Sequence, residues 1–175
     1  APEAWLEKFR GRFDSGWDEM RHETFERQKS LGLIPPDARL AARPATLPAW
    51  SSLSSDQRRL YARFMEAYAA SLAYADHEVG RVVDAIRDLG ELDNTLIIYI
   101  QGDNGASTEG RMHGSLFEQS GINGLPEDPD YMLARLDDIG GRSTYPLNTG
   151  GWGWAMNAPF QWNKRAASHL GGTRN

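Results

Sequence analysis

The sequence predicts a layered α/β protein, with a mostly parallel central sheet flanked by helices, and three consecutive features carry that prediction. An apolar pattern with near-helical spacing runs from Leu60 through Phe64, Ala67, Leu72, Val79, Val82, Ile86 and Leu89 as far as Gly90. A short polar loop, Glu91-Leu92-Asp93-Asn94, follows. Then Thr95-Leu96-Ile97-Ile98-Tyr99-Ile100 is apolar on both faces and rich in β-branched residues, the pattern of a strand buried in a parallel sheet. A long helix, a tight turn and a buried strand make one αβ unit of a layered fold.

The remaining elements fall on either side of that unit. Trp5, Phe9, Phe13 and Trp17 recur every four residues and would share one helical face, although Gly11 and Gly16 weaken a continuous helix. Asp18 to Ser30 reads as a charged helix stopped by Gly32. Pro35, Pro36, Pro44 and Pro48 make residues 35–50 an extended loop wrapping over something larger. Ser54 and Gln57 fit a capping box at the start of the long helix, with a possible bend at Asp76-His77. After the strand, Asp128-Pro129 starts a short helix carrying Met132, Leu133, Leu136 and Ile139 to a stop at Gly140-Gly141. Residues 141–159, rich in Gly, Trp, Asn and Pro, read as irregular, and the last residues run out in a turn-like stretch, as though the chain were an internal segment. The segment divides into 1–53 (wrapping helix and loop), 54–110 (helix, strand and following loop) and 111–175 (an irregular excursion).

Composition narrows the function. With 175 residues, 40% apolar and 25% charged, the chain suits one soluble domain. A net charge of −5 without a basic stripe argues against a nucleic-acid partner. No apolar run approaches the roughly 20 residues that span a bilayer, and the first residues do not have a signal peptide's pattern. The absence of Cys removes disulfides and thiolate chemistry and leaves the compartment undecided.

The chemistry gathers after the strand. Gln101-Gly102-Asp103-Asn104-Gly105 stands where loops converge on ligands in open α/β sheets. Asp103 and Asn104 offer a carboxylate and an amide carbonyl, hard oxygen donors suited to Ca²⁺ or Mg²⁺. Asp, Asn and Gly are equally the residues of a plain turn, and the two readings stand level on this evidence.

Longer blocks are more specific. Residues Asp93 to Ser107 resemble the metal-site strand and loop of type I sulfatases, and Tyr74-Ala75-Asp76-His77-Glu78-Val79-Gly80-Arg81-Val82 resembles the helix before it. Ala158-Pro159-Phe160-Gln161-Trp162-Asn163-Lys164 and Ser168 to Asn175 resemble the segment with that family's sulfate-contacting lysine. The resemblance, to the bacterial arylsulfatase branch of the alkaline phosphatase superfamily, covers most of the chain. It implies an alkaline-phosphatase-like fold and hydrolysis of a sulfate ester to alcohol or phenol plus sulfate. It implies that Asp103 and Asn104 ligate a divalent ion, Ca²⁺ by family habit with Mg²⁺ as the other candidate. It implies that Lys164 contacts the sulfate and stabilises the leaving oxygen, where negative charge develops. His169, in a matched block, is implied as a substrate-side or loop-holding residue.

Departures from the family pattern set limits. The family's nucleophile is a formylglycine made from the Cys or Ser of a C/S-x-P-x-R motif, and this chain has no Cys and no such Ser. The two other aspartate ligands and the remaining His, Lys and Arg of the pocket have no matching positions. The expected partners are a small sulfate ester and the remainder of a sulfatase chain, in a periplasmic or cytoplasmic bacterial setting, and the segment alone is expected to be inactive. A phosphonate or phosphate monoester hydrolase and a non-catalytic fragment are the alternatives. His113 is a candidate acid, base or ligand in a Gly-rich loop, while His22 and His77 read as packing or capping residues. Trp152, Trp154 and Trp162 read first as packing anchors and second as an aromatic pocket.

Overall fold

A computed structural model describes residues 1–100, 105–161, 163 and 164. Its helices are α1 (Glu3–Glu7), α2 (Gly16–Ser30), α3 (Ser55–Asp88), α4 (Glu118–Ile122), α5 (Pro129–Leu133) and α6 (Gly150–Met156). Helix α3 is the spine. Its capping box forms as its sequence specifies: Ser54 Oγ accepts from the Gln57 amide at 3.1 Å and Gln57 Oε1 accepts from the Ser54 amide at 3.0 Å. The helix runs unbroken through Asp76-His77 and ends at Gly90, whose φ of 73° suits a residue without Cβ.

The core is an aromatic knot between α2, α3, α6 and the wrapping loop. Trp17 stacks on Tyr61 at 5.7 Å and meets Trp50 edge-on at 4.9 Å, while Trp152 packs on Trp50 at 5.4 Å. The three indole N–H groups of the knot each find a carbonyl: Trp17 donates to Pro48, Trp50 to Asp14 and Trp152 to Tyr61. Gly151 permits this closeness, because a Cβ there would stand 2.3 Å from the Trp17 ring. The wrapping loop is fastened through Asp18, which accepts from the Trp50 amide at 2.8 Å and pairs with Arg43 at 3.1 Å.

Three expectations need correction. Trp5, Phe9, Phe13 and Trp17 do not share one helix, because the chain turns between α1 and α2; all four still pack on the core, since apolar surface is buried whatever the local backbone. Residues 141–159 are not wholly irregular: Gly150–Met156 is a helix, capped by Thr149 Oγ1 and held by burial of Trp152 and Trp154 against its glycine-rich sequence. The largest correction concerns residues 95–100. They belong to no strand, and Leu96, Ile98 and Ile100 are 85, 70 and 84% exposed. A strand exists only through hydrogen bonds to a neighbour, and the described residues supply none there; their β pairing is confined to isolated bridges, Ser115 with Leu147 and Phe117 with Tyr145. No central parallel sheet is present among the described residues.

Candidate functional site

Asp103, Asn104 and His169 lie outside the described residues, as does Trp162. Lys164 and the backbone directly after the Asp103-Asn104 pair are described, and the two segments are bonded to each other. The Lys164 amide donates to the Ala106 carbonyl at 3.0 Å. The Ala106 amide donates in turn to Asn157 Oδ1 at 2.8 Å. Asn157 is buried at the C-terminal end of α6, so the side chain that receives Ala106 has a fixed base. Ala106 is thus tied on both sides to the stretch that carries the lysine.

The Lys164 ammonium itself is half-exposed and lies 3.6 Å from Glu109 Oε1. Glu109 is held in place by the Ser107 hydroxyl, which donates to Oε2 at 3.0 Å and accepts from the Glu109 amide at 3.1 Å. An exposed pair of this kind is worth between zero and about 1 kcal/mol, so a competing anion can displace the carboxylate at little cost. The lysine is available.

Next to this junction is a cavity of about 340 Å³, lined among others by Leu47, Thr108, Met112, Trp154, Gln161 and Asn163. Its walls come from the wrapping loop, the loop after Ala106, helix α6 and the residues just before Lys164. Apolar faces with a few amides and hydroxyls suit an organic group, and Arg111 adds a positive charge to the lining.

The other candidates resolve into structural roles. His113 Nδ1 lies 2.5 Å from the Tyr61 hydroxyl, against α3. Burial pushes that phenol up to about 12, and the His113 ring serves as its hydrogen-bond partner in packing. His22 is exposed, and His77 packs on Trp5 at 5.2 Å. Trp152 and Trp154 are packing anchors first, with Trp154 also lining the cavity. Among the described residues no group of three or more His, Asp or Glu side chains is placed to hold a metal ion.

Sequence reasoning missed three residues at this junction. Glu109 and Asn157 sit in loop and helix-end positions that resemble any other polar surface. Arg21 lies in a helix that reads as uniformly charged, yet it is fully buried.

Comparison with known proteins identifies the family. A family model described as Sulfatase matches residues 1–175. The chain belongs to the sulfatase family. It is 32% identical over 165 residues to an uncharacterised sulfatase of Schizosaccharomyces pombe, covering 94% of this chain and 28% of that protein. It is 27% identical over 172 residues to the arylsulfatase of Klebsiella aerogenes, covering 98% of this chain and 35% of that protein. This sulfatase chain therefore spans about a third of the length of the curated relatives it matches. Membership implies an alkaline-phosphatase-like α/β fold, whose parallel sheet the described residues do not show, within a family that is generally metal-dependent.

Proposed function

We propose that this chain supplies the lysine side and part of the metal loop of an arylsulfatase-type site, which hydrolyses a sulfate ester to an alcohol or phenol plus sulfate. The observation that carries the reading is the Lys164–Ala106–Asn157 connection, which joins the lysine segment to the backbone just after Asp103-Asn104. Asp103 and Asn104 would hold a divalent ion, Ca²⁺ or Mg²⁺, which when bound supplies fixed positive charge beside the sulfate oxygens. His169 would serve on the substrate side or hold its loop. As the S–O bond to the organic group breaks, negative charge gathers on the departing oxygen. The Lys164 ammonium, released from Glu109, would meet that charge. The cavity by Trp154 gives room to the organic half of the ester.

The nucleophile comes from outside these 175 residues, because none of them matches the formylglycine motif. The exposed apolar segment 95–100 and the outer half of α3 are covered by further parts of the same longer chain, with 95–100 pairing into its sheet. The test uses that longer enzyme and 4-nitrophenyl sulfate. Lys164→Ala should lower kcat about 10²- to 10³-fold, the size of losing one charge-stabilising group. A variant with an unchanged rate removes the lysine from the mechanism. A wild-type enzyme that prefers phosphate monoesters removes the sulfatase assignment of the site. The 175-residue chain by itself should give no turnover.

A further inference from the structure

Arg21 is the most unusual charge in the molecule. It has no exposed surface and no carboxylate partner among the described residues, an arrangement that costs stability unless hydrogen bonds replace the lost water. Burial alone pulls its guanidinium down to about 10. What it does have is carbonyls. Its Nη1 donates to Trp154 at 2.7 Å, and its Nη2 donates to Phe160 at 2.7 Å and Pro159 at 3.3 Å. The same guanidinium lies over the Trp154 ring at 4.4 Å. Two turns along the same face of α2, Gln28 Nε2 donates to the Ala158 carbonyl at 3.0 Å. One helix face thus grips the carbonyls of residues 154, 158, 159 and 160.

That gripped stretch leads directly to Lys164. At its start Asn157 receives the Ala106 amide, and beyond its end the Lys164 amide reaches the Ala106 carbonyl. A neutral amide could fill the space at less cost in desolvation. A planar cation with several donors in a fixed fork can hold three carbonyls at once, and that is the advantage of Arg at this position. We propose that Arg21 is a positioning residue for Lys164: by clamping the 154–160 backbone onto α2 it fixes where the lysine stands relative to the loop after Asp103-Asn104. The inference rests on the sulfate-contacting role given to Lys164 above, and its two tests fail separately from that role.

The first test is amide hydrogen exchange on the longer enzyme. Arg21→Met keeps the apolar stem and removes every donor. It should raise exchange at Lys164 and Phe160 at least ~10-fold over any change at Leu60 and Phe64 in α3, the size expected when charged hydrogen bonds are lost locally. Arg21→Lys, a cation without the fork, should restore only part of the protection. Gln28→Leu removes a single bond to the same stretch and should give a smaller rise at the same amides, which keeps the test alive if Arg21→Met does not fold. Exchange at Lys164 that merely tracks α3, or does not change, overturns the proposal.

The second test is a double-mutant cycle in the longer enzyme. Arg21→Met should lower kcat with KM little changed, and should add nothing in a Lys164→Ala background. Additive losses overturn the proposal, because a general loss of stability would act in both backgrounds. Turnover untouched by Lys164→Ala refutes the role of the lysine instead, and the exchange data still decide whether Arg21 holds the segment.

Discussion

From Leu60 to Ala70, helix α3 is enclosed but for Tyr68: Leu60, Tyr61, Phe64, Met65, Ala67 and Ala70 are buried, and so are the charged Arg63 and Glu66. From Ser71 to Asp88 it is not, and Leu72, Val79 and Val82 are 47, 42 and 62% exposed. The apolar spacing hardly changes between the two halves. Periodicity marks a face that wants cover, and the cover itself must come from elsewhere in the fold. The halves also share a motif. Arg63–Glu66, Glu78–Arg81 and Asp84–Arg87 are all ion pairs at the same spacing, yet the first is buried and the others are exposed. Glu66 takes a further bond from the Gly11 amide at 2.7 Å, so the inner pair belongs to the tertiary structure, whereas the outer pairs only decorate a helix.

That contrast can be broken or sharpened by measurement. The largest effect should come from the knot around the inner half. Trp152→Ala removes an indole packed on Trp17 and Trp50 and should cost about 3–5 kcal/mol by denaturant unfolding. A cost no greater than that of Val82→Ala would mean that the inner half is not the core. Next, Glu66→Ala strands a buried guanidinium and should cost about 3 kcal/mol, while Glu78→Ala should stay within about 0.5 kcal/mol. Equal costs would erase the distinction between inner and outer pairs. Ser54→Ala removes the cap that starts the inner half, and a loss of about 1 kcal/mol is expected, readable as a shift in the same midpoint.

The pH dependence is smaller and has a definite sign. The folded Tyr61 phenol is pushed up to about 12, against its ordinary value of 10, so its stabilisation is full below about pH 10 and is lost as pH rises towards 12. Arg21, brought down to about 10 from the ordinary guanidinium range, acts in the opposite sense: its penalty is present at neutral pH and is relieved as pH rises from about 10. Tyr61→Phe should therefore remove the declining contribution and leave stability flatter or rising over that window. A variant curve parallel to the wild type would show that Tyr61 is not the group responsible. The outer half should respond least. Val82→Ala should change the stability of this chain by no more than about 0.5 kcal/mol, and a larger loss would reveal packing on that face.

What the sequence determined by itself was local or carried by a motif. The Ser54-Gln57 box, the stop at Gly90, the Asp128-Pro129 helix start and the proline-rich wrap depend on short-range sterics and neighbouring hydrogen bonds, and each stands where the residues put it. The family was legible as well, because its blocks around Asp103-Asn104 and Lys164 are distinctive in order and composition. Tertiary structure decided the rest. Whether Thr95 to Ile100 is a strand depends on a partner strand, which no property of those six residues can provide. Helix α6 forms against its glycines because Trp152 and Trp154 are buried by α2 and α3. Arg21 reads in sequence as one more surface charge of α2, and only the fold turns it inward to the carbonyls ahead of Lys164. Burial and long-range hydrogen bonds are set by where distant segments meet, and that information is absent from any local pattern.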